Sequence, residues 1–190
     1  MSAKKQVSKQ DILDAAQQVF YRCGMDGLSV RAIAEKAGCS TQPVYLCFSG
    51  MEELREALAE RFLEQYENFL KKEAEKGEYP PYKAYGMAYI GFAKAEPEIF
   101  RFLFMRERNR AEQRDEIPQS TRDAIAMASE QLGLSWEDAF RFHMEIWIFV
   151  HGIASMYATS YLDWDMEQVS EMISDAYMGL KARWAEKGAR

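Results

Sequence analysis

"GCSTQPVYLCFSG", residues 38–50, holds two kinds of residue in one helix-sized stretch. Val44, Cys47 and Phe48 are spaced to pack inward, while Ser40, Thr41, Gln42, Pro43 and Tyr45 crowd the start with hydroxyl, amide and phenol groups. Pro43 has no N–H, so Ser40 at the cap position is expected to bond the amide of Gln42. A helix this short is held by its apolar side, and its polar front is left to touch something outside the fold.

The flanking sequence supplies that apolar side. "SKQDILDAAQQVFYRCG" opens with a Ser8-x-x-Asp11 capping box and carries Ile12, Ala16, Val19, Phe20 and Cys23 at helical spacing. Gly24 is placed as a left-handed stop, and "MDGL" turns the chain. Ser29 caps "VRAIAEKAG", whose Val30, Ile33, Ala34 and Ala37 form a narrow stripe before Gly38. Ser49-x-x-Glu52 reads as a capping box for a longer fourth helix with Leu54, Leu58, Phe62, Tyr66 and Phe69. Its acidic start and lysine-rich end suit the helix dipole. After "GEYPP", helical segments are expected over 81–95, 97–107, 118–132, 135–161 and 166–187. No strand-like alternation is sustained, so the fold class is all-α. Residues 1–50 form one expected domain and residues 51–190 a second.

Composition sets bounds on function. The chain is 190 residues long, 48% hydrophobic and 13% aromatic, enough to bury a core. Its net charge of −6 conceals an asymmetry. Residues 1–50 hold six Lys/Arg against four Asp/Glu, a balance of +2, and the remaining 18 against 26 leave −8 for the rest. A mildly basic head on an acidic body is compatible with DNA, because only the contacting face must attract phosphates. The basic start is not followed by the apolar core of a signal peptide, and the apolar run "IWIFV" is too short to span a bilayer. A soluble, cytoplasmic protein is expected. Cys23, Cys39 and Cys47 have neither CxxC spacing nor partnering histidines, so neither a disulfide framework nor a metal is expected. No cofactor motif and no nucleophile–base pair is present, and an enzyme is not expected.

Two short helices joined at Gly38 make a helix-turn-helix, whose second helix enters the DNA major groove with its N-terminal end. Thr41 and Gln42 then lie where base edges would be, since an amide bonds adenine bidentately and a threonine methyl touches thymine. Tyr45, Ser29 and Arg31 are placed for phosphates. The competing reading is a solvated cap on an ordinary helical hairpin.

The stretch "ILDAAQQVFYRCGMDGLSVRAIAEKAGCSTQPVYLCFSGMEELREAL" resembles the DNA-binding domain of the TetR family of transcriptional regulators. The likeness rests on the Ala-Ala and Phe20 of the first helix, Gly24, and the Ser29-Val30-x-x-Ile33-Ala34-x-x-Ala37-Gly38 run. Ser40…Val44-Tyr45…Phe48 and Glu53-Leu54 complete it. The resemblance implies a homodimer, an all-α effector-binding body and repression relieved by a small molecule. There are departures. Met51 stands where the family commonly has a phosphate-contacting lysine, Cys47 where an aromatic or histidine is usual, and Gln42-Pro43 where a small residue is frequent. In "EIWIFVHGIASM", Trp147, His151 and Gly152 look like the Trp…His-Gly signature of one TetR C-terminal subclass.

Trp147 and His151, four apart, share a helix face. They are either core residues, with Gly152 admitting a close helix, or the lining of an effector cavity with Phe92, Phe104 and Met144. The two long final segments, 135–161 and 166–187, are apolar on more than one face and are expected to join a second copy. The arginines of "PEIFRFLFMRERNRAEQR" are expected to be solvated or paired, and one facing a cavity would favour an anionic effector. Two rival functions remain: a DNA-binding regulator without effector, and a thiol-based sensor using Cys23, Cys39 or Cys47. Small buried packing is the default for Cys23 and Cys39.

Overall fold

A computed structural model describes residues 7–106, 117–161 and 163–188. Among these residues helices are the only extended regular elements, joined by turns, and there is no strand. The helices are α1 (Lys9–Cys23), α2 (Val30–Lys36), α3 (Thr41–Cys47), α4 (Met51–Glu75), α5 (Pro81–Ala95), α6 (Pro97–Phe104), α7 (Gln119–Leu132), α8 (Trp136–Ala158) and α9 (Met166–Gly188). They fall into two compact units, Met1–Gln65 and Tyr66–Arg190.

In the first unit the capping box of α1 forms as read. The Asp11 N–H donates to Ser8 Oγ at 3.1 Å, and the Ser8 N–H donates to the Asp11 carboxylate at 2.9 Å. Gly24 has the expected positive φ of 65°, but its ψ of −167° is extended rather than left-handed helical. The chain therefore leaves α1 straight into the Met25–Leu28 turn, closed by the Leu28 N–H on the Met25 carbonyl at 3.1 Å. Gly27 is forced in that turn, since a Cβ there would lie 2.2 Å from Cys23 Cβ. Ile12, Ala16, Val19 and Phe20 meet Ile33, Val44, Phe48, Leu54, Leu58 and Phe62 in one buried core. The Phe20 and Phe62 rings lie 4.8 Å apart. Arg61 ties α4 to α1 through Asp14 at 2.7 Å and Gln17 at 2.9 Å.

Three local expectations are corrected here. Ser40 makes no side-chain cap bond. Pro43 removes the donor at the third helical position, the remaining Gln42 N–H is not taken up, and Ser40 is exposed to solvent, which competes for its hydroxyl. The partner of Ser49 is Glu53, not Glu52, because α4 begins at Met51 and the box shifts by one residue. The Ser49 N–H donates to the Glu53 carboxylate at 2.7 Å and holds that carboxyl below its ordinary range. Glu52 instead faces Arg55 at 3.7 Å. The cysteines are not buried packing either. Cys23 is exposed at the end of α1, beyond the core stripe, and Cys39 and Cys47 are half-buried.

The second unit is organised around α5 against α8, with α6, α7 and α9 packed on α8. Pro81 and Pro97 open α5 and α6 at their first positions, where a missing N–H costs nothing. α5 buries Met87–Ile90, Phe92 and Ala93, so it is apolar on nearly all sides. The helix expected over 97–107 closes at Phe104, with the Met105 N–H on the Arg101 carbonyl, where the apolar pattern gives way to charge. Arg101 binds Glu98 and the Ala158 carbonyl at the end of α8. Arg108, Arg110 and Arg114 lie outside the described residues. Gly133 ends α7 in the left-handed region, at φ 64°. Gly152 does not admit a neighbouring helix of the same chain, since a Cβ there would meet nothing within 4 Å. The close approach is at Gly86 instead, where a Cβ would lie 3.4 Å from Val150 Cγ2.

Candidate functional site

In the first unit, the sequence places α3 by two anchors and one turn. Val44 and Phe48 are each 1% exposed and pin the helix to the core. Gly38, at φ 68°, makes the tight turn from α2, with its N–H on the Glu35 carbonyl at 3.1 Å. Opposite the anchors, Ser40, Thr41, Gln42 and Tyr45 are exposed and Pro43 half-exposed. Ser29 caps α2, accepting from the Ala32 N–H at 3.2 Å, and Arg31 is exposed one residue into that helix. All seven residues singled out from the sequence are thus solvent-accessible within the same α2–turn–α3 segment. Arg31 and Lys36 form no ion pair among the described residues, and with Glu35 on the same helix α2 carries a net charge of +1. Leu46, 79% exposed, lies on the same outer face and was not singled out from the sequence. Its signal was its position four residues after Gln42, on the face opposite Val44 and Phe48.

In the second unit, Trp147 stacks on His151 with centroids 4.9 Å apart and planes 17° from parallel. His151 Nδ1 shares a hydrogen bond of 2.8 Å with the Tyr89 hydroxyl. A parallel pair joins Tyr82 and His143 Nδ1 at 3.1 Å. Burial pushes the imidazoles of His143 and His151 down and the phenols of Tyr66, Tyr82 and Tyr89 up. These groups are consequently neutral near pH 7. A cavity of about 80 Å³ lies among Tyr66, Tyr82, Tyr85, Tyr89, His143 and Trp147. Of the five body residues expected around an effector, Trp147 lies on this wall and His151 sits behind Tyr89. Phe92 is fully buried against Phe69 and Tyr66. Phe104 packs on Tyr66, Tyr89 and Phe100. Met144 is half-buried and away from the wall. The sequence did carry a signal for the lining it missed. Tyr82, Tyr85 and Tyr89 recur along one face of α5, and His143 and Trp147 are four apart on α8. No group of three or more metal-ligating side chains occurs among the described residues, and no helix there is long and apolar enough to cross a membrane.

A short helix with a polar, exposed N-terminal face, set by a tight turn against a three-helix core, defines a helix-turn-helix protein. Residues 12–58 match the family model described as bacterial regulatory proteins of the tetR family, and residues 82–177 match the tetracyclin repressor-like C-terminal domain. The chain belongs to the TetR family and is a transcriptional regulator of the DNA-binding, helix-turn-helix type. Over 57 residues it is 39% identical to the HTH-type nicotine-responsive transcriptional repressor HdnoR of Paenarthrobacter nicotinovorans. That match covers 30% of this chain and 29% of the relative, so it bears on less than a third of either. Two structures from Rhodococcus sp. RHA1 share the fold over nearly the whole length. One is a protein of unknown function, with TM-score 0.70, 22% identity, and 96% and 98% of the two chains covered. The other is a TetR-like transcriptional regulator, with TM-score 0.64, 23% identity, and 94% and 98% covered.

Proposed function

We propose that the chain is a ligand-responsive repressor that binds a palindromic operator as a homodimer and is released by a small-molecule effector in the cytoplasm. The observation that carries the DNA reading is the division of α3 into buried Val44 and Phe48 and exposed Thr41, Gln42, Tyr45 and Leu46. Gln42 bonds an adenine edge, Leu46 and the Thr41 methyl meet thymine methyl groups, and Ser29, Arg31, Ser40 and Tyr45 hold phosphates. Pro43 fixes the backbone between them. Residues 1–50 read DNA, while residues 51–190 bind the effector and the second copy.

Homodimerisation rests on a stripe of α8. Ile148 is 63% exposed and Met156 42% exposed, and Gly152 between them has open space over its Cα. These three recur every four residues on one helix face, with apolar side chains flanking a gap. A second copy packing there, with α9 beside it, covers them.

The effector reading rests on the aromatic cavity at Trp147. α4 supplies Leu54, Leu58 and Phe62 to the core of the first unit, and Tyr66 to the wall of this cavity. A ligand that displaces Tyr66 therefore acts on a helix rooted in the DNA-reading unit, which is the shared element that coupling requires. The test is selection of bound duplexes from a random pool, followed by titration of candidate ligands into the complex. A palindromic consensus and ligand-dependent release are expected. Equal affinity for all duplexes refutes the operator reading. Ligand binding without a change in DNA affinity refutes the effector reading and leaves a regulator without effector.

A further inference from the structure

A second cavity, of about 200 Å³, adjoins the first and shares Tyr82, Gly86, Ile146 and Val150 with it. The partition is the close approach of α5 and α8 at Gly86 and Val150. Beyond the partition the walls come from Lys83 of α5, Gln131 of α7, and Ile173, Ser174 and Tyr177 of α9. The lining is mostly apolar and includes no Asp or Glu, so Lys83 is its single formal charge.

What distinguishes Lys83 is that it lines a chamber without a carboxylate while several cations of the acidic body are paired. Lys76, Arg101, Arg141 and Arg183 each have a carboxylate partner. Lys83 has none among the described residues. Its ammonium instead donates to Ser174 Oγ at 2.8 Å and lies 5.0 Å from the Tyr79 ring centre. Ser174 is itself committed, donating to the Ser170 carbonyl at 3.0 Å. An ammonium has three N–H donors. One is used on a neutral hydroxyl and the tyrosine face takes another side, which leaves capacity for an anion. By contrast, the cavity lined by Lys94 also has Glu73 and Glu78 in its wall, so its lining is not free of carboxylates.

We propose that this chamber binds a small monocarboxylate with an apolar aryl or alkyl body, its carboxylate on Lys83 and its body against Ile146, Val150 and Ile173. The alternatives fit less well. An organic cation would meet Lys83 with no carboxylate to hold it. A di- or polyanion would bring charges for which the lining offers no second cation. A monoanion matches the one unpaired charge, and a charge-assisted bond inside an apolar wall is stronger than a neutral one. The Tyr177 phenol, kept protonated by burial, adds a neutral polar group to the same lining, whereas the Tyr82 hydroxyl is engaged with His143. At about 200 Å³ the chamber is smaller than most small-molecule sites, which span about 300–1,000 Å³. This confines the body to a short chain or a single ring. The proposal rests on the effector reading only in placing the site in the ligand-binding body.

The experiment is isothermal titration of the full chain with octanoate, 4-phenylbutanoate, 4-phenylbutanamide and 4-phenylbutylamine, using wild type, Lys83→Met and Lys83→Arg. Wild type should bind at least one acid, with 4-phenylbutanoate about tenfold or more tighter than its amide, given the strength of hydrogen bonds to charged groups. Lys83→Met should erase that preference while keeping the amide affinity, and Lys83→Arg should restore it. Amide or amine binding as tight as acid binding in wild type overturns the proposal. So does a preference that survives Lys83→Met, or no saturable binding of either acid. DNA affinity, measured alongside, separates the two readings. Lys83-dependent acid binding with unchanged DNA affinity keeps the site and refutes its effector role. DNA release by the amine, with no acid preference, does the reverse.

Discussion

Replacing Ile148 by glutamate tests the dimer seam without touching the fold of the chain. Ile148 is 63% exposed, so the substitution leaves no cavity within one copy. Full burial of an isoleucine side chain stabilises by about 1.5–3 kcal/mol. The exposed share, covered by a partner, is then worth about 1–2 kcal/mol per copy. A two-fold interface uses each patch twice, which doubles the loss to about 2–4 kcal/mol per dimer. That corresponds to roughly a 30- to 700-fold rise in the dimer dissociation constant. Sedimentation equilibrium over a range of concentrations reads this directly, and circular dichroism of dilute samples checks that the monomer keeps its helices. Binding to a palindromic duplex should weaken in step, because each copy then holds one half-site alone. An unchanged dimer constant in the folded variant refutes the assignment of α8 to the seam. A collapse of helicity in dilute solution would show that Ile148 supports its own chain instead.

The other predictions concern DNA, protons and thiols. Gln42→Ala should lower discrimination between matched and mismatched sites by about 1–3 kcal/mol, whereas Tyr45→Phe should weaken all duplexes alike. Fluorescence anisotropy on a set of single-base variants distinguishes the two patterns, and an unchanged site preference in Gln42→Ala removes that residue from base readout. Burial lowers the folded-state pKa of His143 and His151 below the ordinary 6.5. Unfolded chains therefore bind more protons in this window, so the stability these imidazoles contribute is complete above about pH 6.5 and is lost as pH falls through their folded values. Thermal unfolding between pH 5 and 8 should show that slope, and a double His143→Gln, His151→Gln variant should flatten it. Exposed Cys23 and half-buried Cys39 and Cys47 are all free. Replacing the three by serine should leave DNA release unaltered, and peroxide-triggered release in wild type alone would promote the thiol-sensor reading.

The helices and the DNA-reading head were legible in the sequence because their determinants are local. Ser8, Ser29 and Ser135 cap helices through groups three residues away, and Gly38 and Gly133 take positive φ where a turn demands it. Val44 and Phe48, four apart, could only be the inner face of so short a helix, which left Thr41, Gln42 and Tyr45 outside. The register error at Ser49 was also local, a choice between Glu52 and Glu53 that depended on where α4 begins. The body's cavities were not legible in the same way. Trp147 and His151 share a helix face by spacing, but whether that face met solvent, core or cavity depended on Tyr89, some sixty residues away, bonding His151. Phe92 and Tyr89 are three apart on α5, yet one is sealed in the core and the other forms a wall. Lys83 reads from sequence as one more surface lysine. Only the packing of α5 against α8 and α9 gives it a hydroxyl partner ninety-one residues away and no carboxylate. Periodicity states which residues share a face, and the tertiary fold decides what that face meets. Side-chain surroundings depend on neighbours remote in sequence, whereas caps and turns do not.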